Sequence, residues 1–427
     1  MDKAVSYIVL AIPVFFLLIG IELLIDRLRK TNYYRFNDAI TNLSLGVGSQ
    51  VTGIFLKLFT FIGYLYLYNN FRLTTMPSLD KGFEPWLVVV TFTVLFVGVD
   101  FFYYWFHRLA HEISVLWGSH VVHHQSEEYN LTVALRQAWL QSAFSWVFYL
   151  PLAILGFEPV MFLTVGSFQT LYQFWIHTKA INKMPRWFEY VFNTPSHHRV
   201  HHGVNPKYID RNHGGTLIIF DRMFGTFQDE EEEVVYGITS QTKSWNPLWV
   251  NFNYWGDLFK EVGRAHNVKD AIKMLVLKPG WKPDYLGGVQ PFKEVTPNTF
   301  HKYDTSIAPG LAYYIFFQFV LMLGSTTAFL FTAESMDWPA RIGVALLIIT
   351  VLVTLGGLLE QKRWTLLVEV IRLLATAPVA IILLQTVANP LAVAIFVPVI
   401  TLVSIAWLVP YHSKLGISSD GHVATNV

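Results

Sequence analysis

PWLVVVTFTVLFVGVDFFYYWFHRLAHE, residues 85–112, decides the fold. From Pro85 to about Phe106 it is almost wholly apolar, and roughly 20 such residues suffice to cross a bilayer core as a helix. The run passes directly into His107 and His111. Residues four apart in a helix share a face, so these two imidazoles converge at the end of a membrane span. Asp100 lies inside the span, where an acid is expensive unless it faces a partner or a cavity. It sits two turns before His107 on the same face. It could accept the free ring N–H of a ligand histidine and so fix its orientation; equally it could be a buried acid bonded to a neighbouring helix. Glu112, beside His111, is either a base or ligand at the edge of a site or a solvated charge.

Outward from this stretch the histidines continue. Ten of the chain's 15 fall between His107 and His202. HVVHH brings His120, His123 and His124, FWIHT brings His177, and HHRVHH brings His197, His198, His201 and His202. Spacings of three and four again place rings on one helix face. A neutral imidazole offers one lone pair and is the commonest protein ligand for a transition metal. One ion takes roughly four to six ligands, so eight to ten imidazoles suit two ions rather than one. The reading is a dinuclear site with iron as its metal. The absence of cysteine excludes Fe–S clusters and thiolate zinc. A regulatory or structural zinc site is the rival, because imidazole suits zinc as well as iron. A pH sensor at the membrane edge would not need three groups at ligand spacing. His266, His301, His412 and His422 stand alone and read as ordinary surface or hydrogen-bonded residues.

Charged residues make up 14% of the 427, against about 25% in soluble domains, and apolar residues 53%, which marks an integral membrane protein. A net charge of +1 gives no argument for a nucleic-acid partner. Residues 5–25 read as a retained first span, too long for a signal peptide's apolar core and without a cleavage pattern after it. Arg27, Arg29, Lys30 and Arg35 follow and place that loop on the cytoplasmic side. Further spans are expected at 41–68, 85–106, 309–331, 338–358, 364–387 and 389–409. A hairpin of two apolar arms, 134–156 and 157–177, is broken at Gly156–Pro159, with Gln169, Tyr172, Gln173 and Trp175 leading to His177. Counting spans puts every histidine group on one side, the cytoplasmic one. Residues 113–133 read as an interfacial segment. GGTLIIFDRMFGTF (214–227) reads as a strand or a buried apolar run ending at Gly225, with Asp210, Arg211, Asn212 and Asp221 as outer partners of the site or caps of turns. Residues 245–255 read as a helix on the membrane surface, and the acidic run 229–233 as a solvated face. The expected fold is all-α, a bundle of about nine transmembrane helices carrying a histidine-rich di-metal cap on the cytoplasmic face. The expected divisions are N-terminal spans at 1–84, a catalytic domain at 85–260, a cytoplasmic connector at 261–308 and C-terminal spans at 309–427.

The boxes HRLAH, HVVHH and HRVHH resemble those of the fatty acid hydroxylase and sterol desaturase superfamily. HRLAHE, HHQSEEYNLTVALRQ, LYQFWIHT, NTPSHHRVHHG and LIIFDRMFGTF are similar to its alkylglycerol (glyceryl-ether) monooxygenase branch, over roughly residues 35–260. The resemblance implies that His107, His111, His120, His123, His124, His198, His201 and His202 are the eight box ligands, that Glu112 is the acid beside the first box, and that His177 is an additional ligand. His197 lies just outside the third box. His213 departs from the pattern, which has an aromatic residue after the asparagine. The implied activity uses two Fe(II) ions and O₂ to hydroxylate the ether-linked carbon of an alkylglycerol, a membrane lipid, releasing fatty aldehyde and glycerol. The implied electron donor is tetrahydrobiopterin; no residue pattern marks a pterin pocket, and a source lacking that pterin would need another donor such as a redox protein. The implied location is the endoplasmic reticulum in a eukaryote or the inner membrane in a bacterium. Two other readings stay open: a sterol or fatty-acyl hydroxylase or desaturase using the same site, and a non-catalytic zinc-binding membrane protein. The mostly apolar spans speak against the second.

Overall fold

A computed structural model describes residues 7–78, 81–291, 295–384, 389–412 and 415. Among these, every regular element is a helix, and the only extended pairings are isolated bridges at Phe192–Leu217 and Gly203–Tyr236. His422 and the outer ends of the spans expected at 5–25 and 364–387 lie outside the described residues. Six helical stretches among the described residues are long and apolar enough to cross a membrane: Phe36–Leu56, Pro85–Glu112, Pro309–Ser335, Trp338–Leu359, Trp364–Ile382 and Pro390–Tyr411. The chain is an integral membrane protein. It divides into two compact units, each contiguous in space but not in sequence.

The first unit draws on residues up to Leu43, Phe55–Thr242 and Asn251–Lys302. Its long helices are α1 (Tyr7–Arg29), α2 (Phe36–Phe71, which also lends residues to the second unit) and α3 (Pro85–Glu112). Short helices follow: α4 (Ser114–Trp117), α5 (Val121–His124), α6 (Gln141–Ser145) and α7 (Leu150–Leu155). Then come α8 (Pro159–Trp175), α9 (Arg186–Val191), α10 (Pro195–His201) and α11 (Ile219–Phe224). The last two are α12 (Pro247–Val262, whose first turn belongs to the second unit) and α13 (Val268–Val276). Leu95 and Val99 of α3 pack with Leu152 and Ala153 of α7, Val165 of α8, and Tyr64 and Tyr68 of α2. Inside a bilayer such packing is favoured by van der Waals contact and hydrogen bonds rather than by escape from water. Tyr64 accordingly donates its hydroxyl to the Phe157 carbonyl, 3.0 Å away. The corner between α7 and α8 turns at Gly156, with φ +93°, where a Cβ would lie 2.0 Å from the Thr74 carbonyl oxygen. Pro159 then opens α8, where a missing N–H costs nothing.

Three sequence expectations are corrected. The 134–156 arm is not one helix: a 3₁₀ turn at Val133–Leu135 gives way to irregular backbone before α6. The cause is Arg136, whose buried guanidinium reaches the Val122 carbonyl (2.6 Å) and Asn42 (2.8 Å), partners a regular helix would not let it meet. Residues 118–133 are wholly buried rather than interfacial, because their polar side chains turn inward onto partners such as Asp38, which accepts from Ser126 at 2.8 Å. Of the two readings of 214–227 the buried apolar run holds and the strand does not: Leu217 makes a single bridge with Phe192, and Ile219–Phe224 form the helix α11, closed by Gly225 in the left-handed conformation. The 245–255 stretch is helical from Pro247 onward and turns Trp249 and Phe252 outward.

The second unit comprises Ser44–Ile54, Lys243–Val250 and the described residues from Tyr303 onward. Its helices are α14 (Pro309–Thr332), α15 (Trp338–Leu359), α16 (Trp364–Leu384) and α17 (Pro390–Leu408). Buried Glu369 and Arg372 pair on α16. Tyr314 donates to Glu369, Arg372 donates to Gln318 at 2.9 Å, and Gln318 donates to Ser404 at 2.8 Å. This chain of bonds ties α14, α16 and α17 and leaves no charge alone in an apolar interior, where it would be most costly.

Candidate metal centre

The last turns of α3 present His107 and His111 inward. His120 precedes α5 and His123 and His124 end it; His177 follows α8; His198, His201 and His202 come from α10 and its cap. Pro195 starts α10, and the Asn193 side chain before it donates to the Gly214 carbonyl (2.6 Å), so the third box enters at a fixed angle. Arg199, between the box histidines, pairs with Glu230 (2.7 Å) and donates to the carbonyls of Thr178 and Ile181, tying α10 to the loop after His177. Glu22 of α1 accepts the Leu131 N–H (2.8 Å) and the hydroxyl of Thr178, steadying the segments that follow His124 and His177.

These elements bring nine imidazoles into two groups. His107, His111, His120, His124 and His201 form one; His123, His177, His198 and His202 form the other. Within each group the candidate ligand atoms all lie within 4.8 Å of one another. None of the nine is more than 8% exposed. Burial holds His120, His124, His198, His201 and His202 well below the ordinary imidazole range, and neighbouring rings push the same way. His123 is held down to about 4 by the same burial. Such rings are neutral at physiological pH and have lone pairs to give.

Four of the nine tautomers are set by the backbone. Nδ1 of His107 donates to the His213 carbonyl (2.7 Å), that of His123 to Arg136 (2.9 Å), that of His177 to Gln173 (2.7 Å) and that of His201 to Arg211 (2.9 Å). A carbonyl can only accept, so a neutral ring held this way has a bare lone pair at Nε2. His123 and His177 point two such lone pairs at each other across 3.2 Å, and His198 Nε2 lies 3.0 Å from His177 Nε2. Facing lone pairs repel unless a cation lies between them. A metal–nitrogen bond of about 2.0–2.1 Å puts neighbouring ligand nitrogens about 3 Å apart, which matches these separations. In the five-histidine group His107 and His124 Nε2 lie 2.9 and 3.1 Å from His120 Nε2. The buried Nε2 atoms of His111, His201 and His202 have no hydrogen-bond partner. The residues therefore fit two metal ions with five and four nitrogen donors.

All nine histidines singled out in the sequence are brought together. Asp100 is not among them. Its two oxygens accept the Thr216 and Leu217 N–H groups at 2.8 Å each. A Cβ on Gly215 would stand 2.8 Å from Asp100 Oδ1, so only glycine admits this approach. Asp221 grips the same loop from its other end, accepting the N–H groups of His213 and Gly214 at 2.7 Å each. The ring N–H of His107 thus goes to a carbonyl of this loop and not to Asp100 itself. Glu112 pairs with Arg108 (3.1 Å) one turn back and belongs to neither group. His197 also lies outside both, its ring 5.4 Å from that of Phe227. Sequence reading did not place the carbonyls that orient the rings, and no residue type signals a carbonyl partner. It noted His213 only as a departure; that ring is fully buried beside the five-histidine group.

Comparison with known proteins agrees with this geometry. A fatty acid hydroxylase family model matches residues 92–226, which hold all nine histidines. Alkylglycerol monooxygenase of Xenopus tropicalis is 38% identical over 375 residues, covering 86% of this chain and 81% of its own. The Homo sapiens alkylglycerol monooxygenase is 37% identical over 378 residues, covering 88% and 82%. Ornithine lipid hydroxylase OlsE of Rhizobium tropici is 27% identical over 147 residues, covering 34% and 44%. No solved structure matches the chain. Identity of 37 to 38% sustained over four fifths of the two alkylglycerol monooxygenases, with the fatty acid hydroxylase match spanning both histidine clusters, makes the chain a member of the alkylglycerol monooxygenase family, oxidoreductases of the fatty acid hydroxylase type.

Proposed function

We propose that this chain is a di-iron monooxygenase that hydroxylates the ether-linked carbon of alkylglycerols. The observation that carries the reading is the pair of buried imidazole groups, five and four, with ring nitrogens facing one another across about 3 Å. His107, His111, His120, His124 and His201 would hold one ion, and His123, His177, His198 and His202 the other. The pair would supply reductive activation of O₂, the hard step against an unactivated C–H bond. The chain's residues hold the ligands in one tautomer through the carbonyls of His213, Arg136, Gln173 and Arg211. They also keep water away by burying every ring. Asp100 and Asp221 are positioning residues that fix the loop on which His107 leans.

A lipid reaches the site from the bilayer, since the first histidine pair sits at the end of a membrane-crossing helix. The catalytic region is 85–260, on the cytoplasmic face. The balance is R–H + O₂ + two electrons + two protons → R–OH + H₂O. The electrons come from an external donor, a reduced pterin or a redox protein. Hydroxylation beside the ether oxygen gives a hemiacetal, which collapses to aldehyde and glycerol. The match to an ornithine lipid hydroxylase supports a second reading, hydroxylation of another membrane lipid by the same site.

The test is incubation of detergent-purified protein, Fe(II), O₂ and reduced pterin with an alkylglycerol, reading fatty aldehyde and metal content together. Aldehyde with two irons per chain is expected. Fewer than two metals in an active preparation defeats the dinuclear reading. A hydroxylated lipid other than the aldehyde moves the substrate to the second reading.

A further inference from the structure

His213 stands where the resembling family has an aromatic residue. Its ring is fully buried, yet neither ring nitrogen makes a well-formed hydrogen bond, the backbone of Asp210 being the nearest group that could accept one. A phenyl ring in that place would leave nothing unmet, whereas an unmet buried polar nitrogen is costly. The same condition, an unpartnered buried nitrogen, holds for His111 and His201 of the five-histidine group. The His213 ring centroid lies 5.1 Å from that of His111 and 5.6 Å from those of His107 and His201. Neighbouring rings within the group stand 4.3 to 6.4 Å apart, and the distances of His213 to these three members fall in the same range. Its backbone is fixed on both sides, the N–H by Asp221 and the carbonyl by His107.

We propose that the His213 imidazole is a sixth nitrogen donor to the cation held by His107, His111, His120, His124 and His201. His213 is not one of the five whose ligand atoms lie within 4.8 Å of one another, so it is the outermost donor, added to a set that is already sufficient. The inference rests on reading that group as a metal centre. A further nitrogen donor changes the coordination number available to that one ion and leaves the four-histidine ion alone.

The test uses the full chain in detergent loaded with Co(II), whose visible absorption reports coordination number. His213→Phe is compared with His213→Tyr, which restores the family's aromatic residue should phenylalanine fold poorly. The expected result is two cobalt ions retained, a changed spectrum for one of them, and loss of that ion to a chelator about 10–100-fold faster. In His213→Ala, free imidazole should restore the wild-type spectrum, which a packing role would not allow. Wild-type and variant proteins with identical spectra and identical release of both ions would overturn the inference while leaving the metal centre intact. Failure of the wild type to take up two ions would instead overturn the metal-centre reading, and this inference with it.

Discussion

Asp100 acts at a distance. Its carboxylate fixes Thr216 and Leu217, and the loop they belong to offers the carbonyl that turns His107. Asp100→Asn keeps the shape but turns an amide N–H toward a backbone N–H, leaving a buried donor unmet at a cost of about 1–3 kcal/mol. The five-histidine ion should then be lost to a chelator about 10–100-fold faster, as for other partners behind ligands, with the four-histidine ion unchanged. Following the two release phases checks this; equal acceleration of both would show a general loosening instead. Acid acts on the rings themselves. Burial holds His123 at about 4, below the roughly 6.5 of an unfolded chain. The unfolded state therefore takes up the proton first, so this stability is fully present above about pH 6.5 and falls as pH drops toward 4, by up to about 1.4 kcal/mol per pH unit for each such ring. The metal-free protein should melt at a lower temperature near pH 5 than near pH 7, measured by thermal denaturation in detergent.

At the level of elements, what the sequence made legible was what periodicity and spacing encode. The apolar run 85–106 continuing into an i, i+4 histidine pair is α3, and Gly156–Pro159 is a break because both residues carry backbone constraints of their own. What stayed hidden depended on partners far along the chain. Arg136 bends the backbone after Leu135 toward Asn42, 94 residues away. LIIF alone does not distinguish a strand from a short buried helix. The polar residues of 118–133 looked like a wet surface until their buried partners were in place. In the second unit, Glu369 and Arg372 are legible as charges within an apolar run, but their complement, Tyr314, Gln318 and Ser404, comes from two other helices. Arg372→Met should destabilise that unit by about 3–5 kcal/mol, since it strands Glu369, while adding Glu369→Gln should recover much of the loss. Detergent-unfolding curves of the single and double variants read this directly; a single variant as stable as the wild type would show that Glu369 is not held as an ion.

For the whole molecule, the nine imidazoles come from four separated stretches, 107–111, 120–124, 177 and 198–202. Without a cation, lone pairs of His123 and His177 face each other, and four further ring nitrogens, on His111, His198, His201 and His202, meet nothing. With one in each group, the end of α3, the short α5, the end of α8 and the box helix α10 are cross-linked into one body. Metal removal should therefore reach well beyond the ligands. An ion present at 100 times its dissociation constant stabilises the state that binds it by about 2.7 kcal/mol, and two independent ions add. Stripping the protein with a chelator should lower its melting temperature by several degrees and open 178–242, where most backbone is loop, to a protease. Returning Fe(II) should reverse both effects, whereas Mg²⁺, which prefers oxygen ligands and keeps its waters, should not. A stripped protein that melts and is cleaved as before would mean that the two groups do not bind ions, and that their lone pairs are relieved by protons instead.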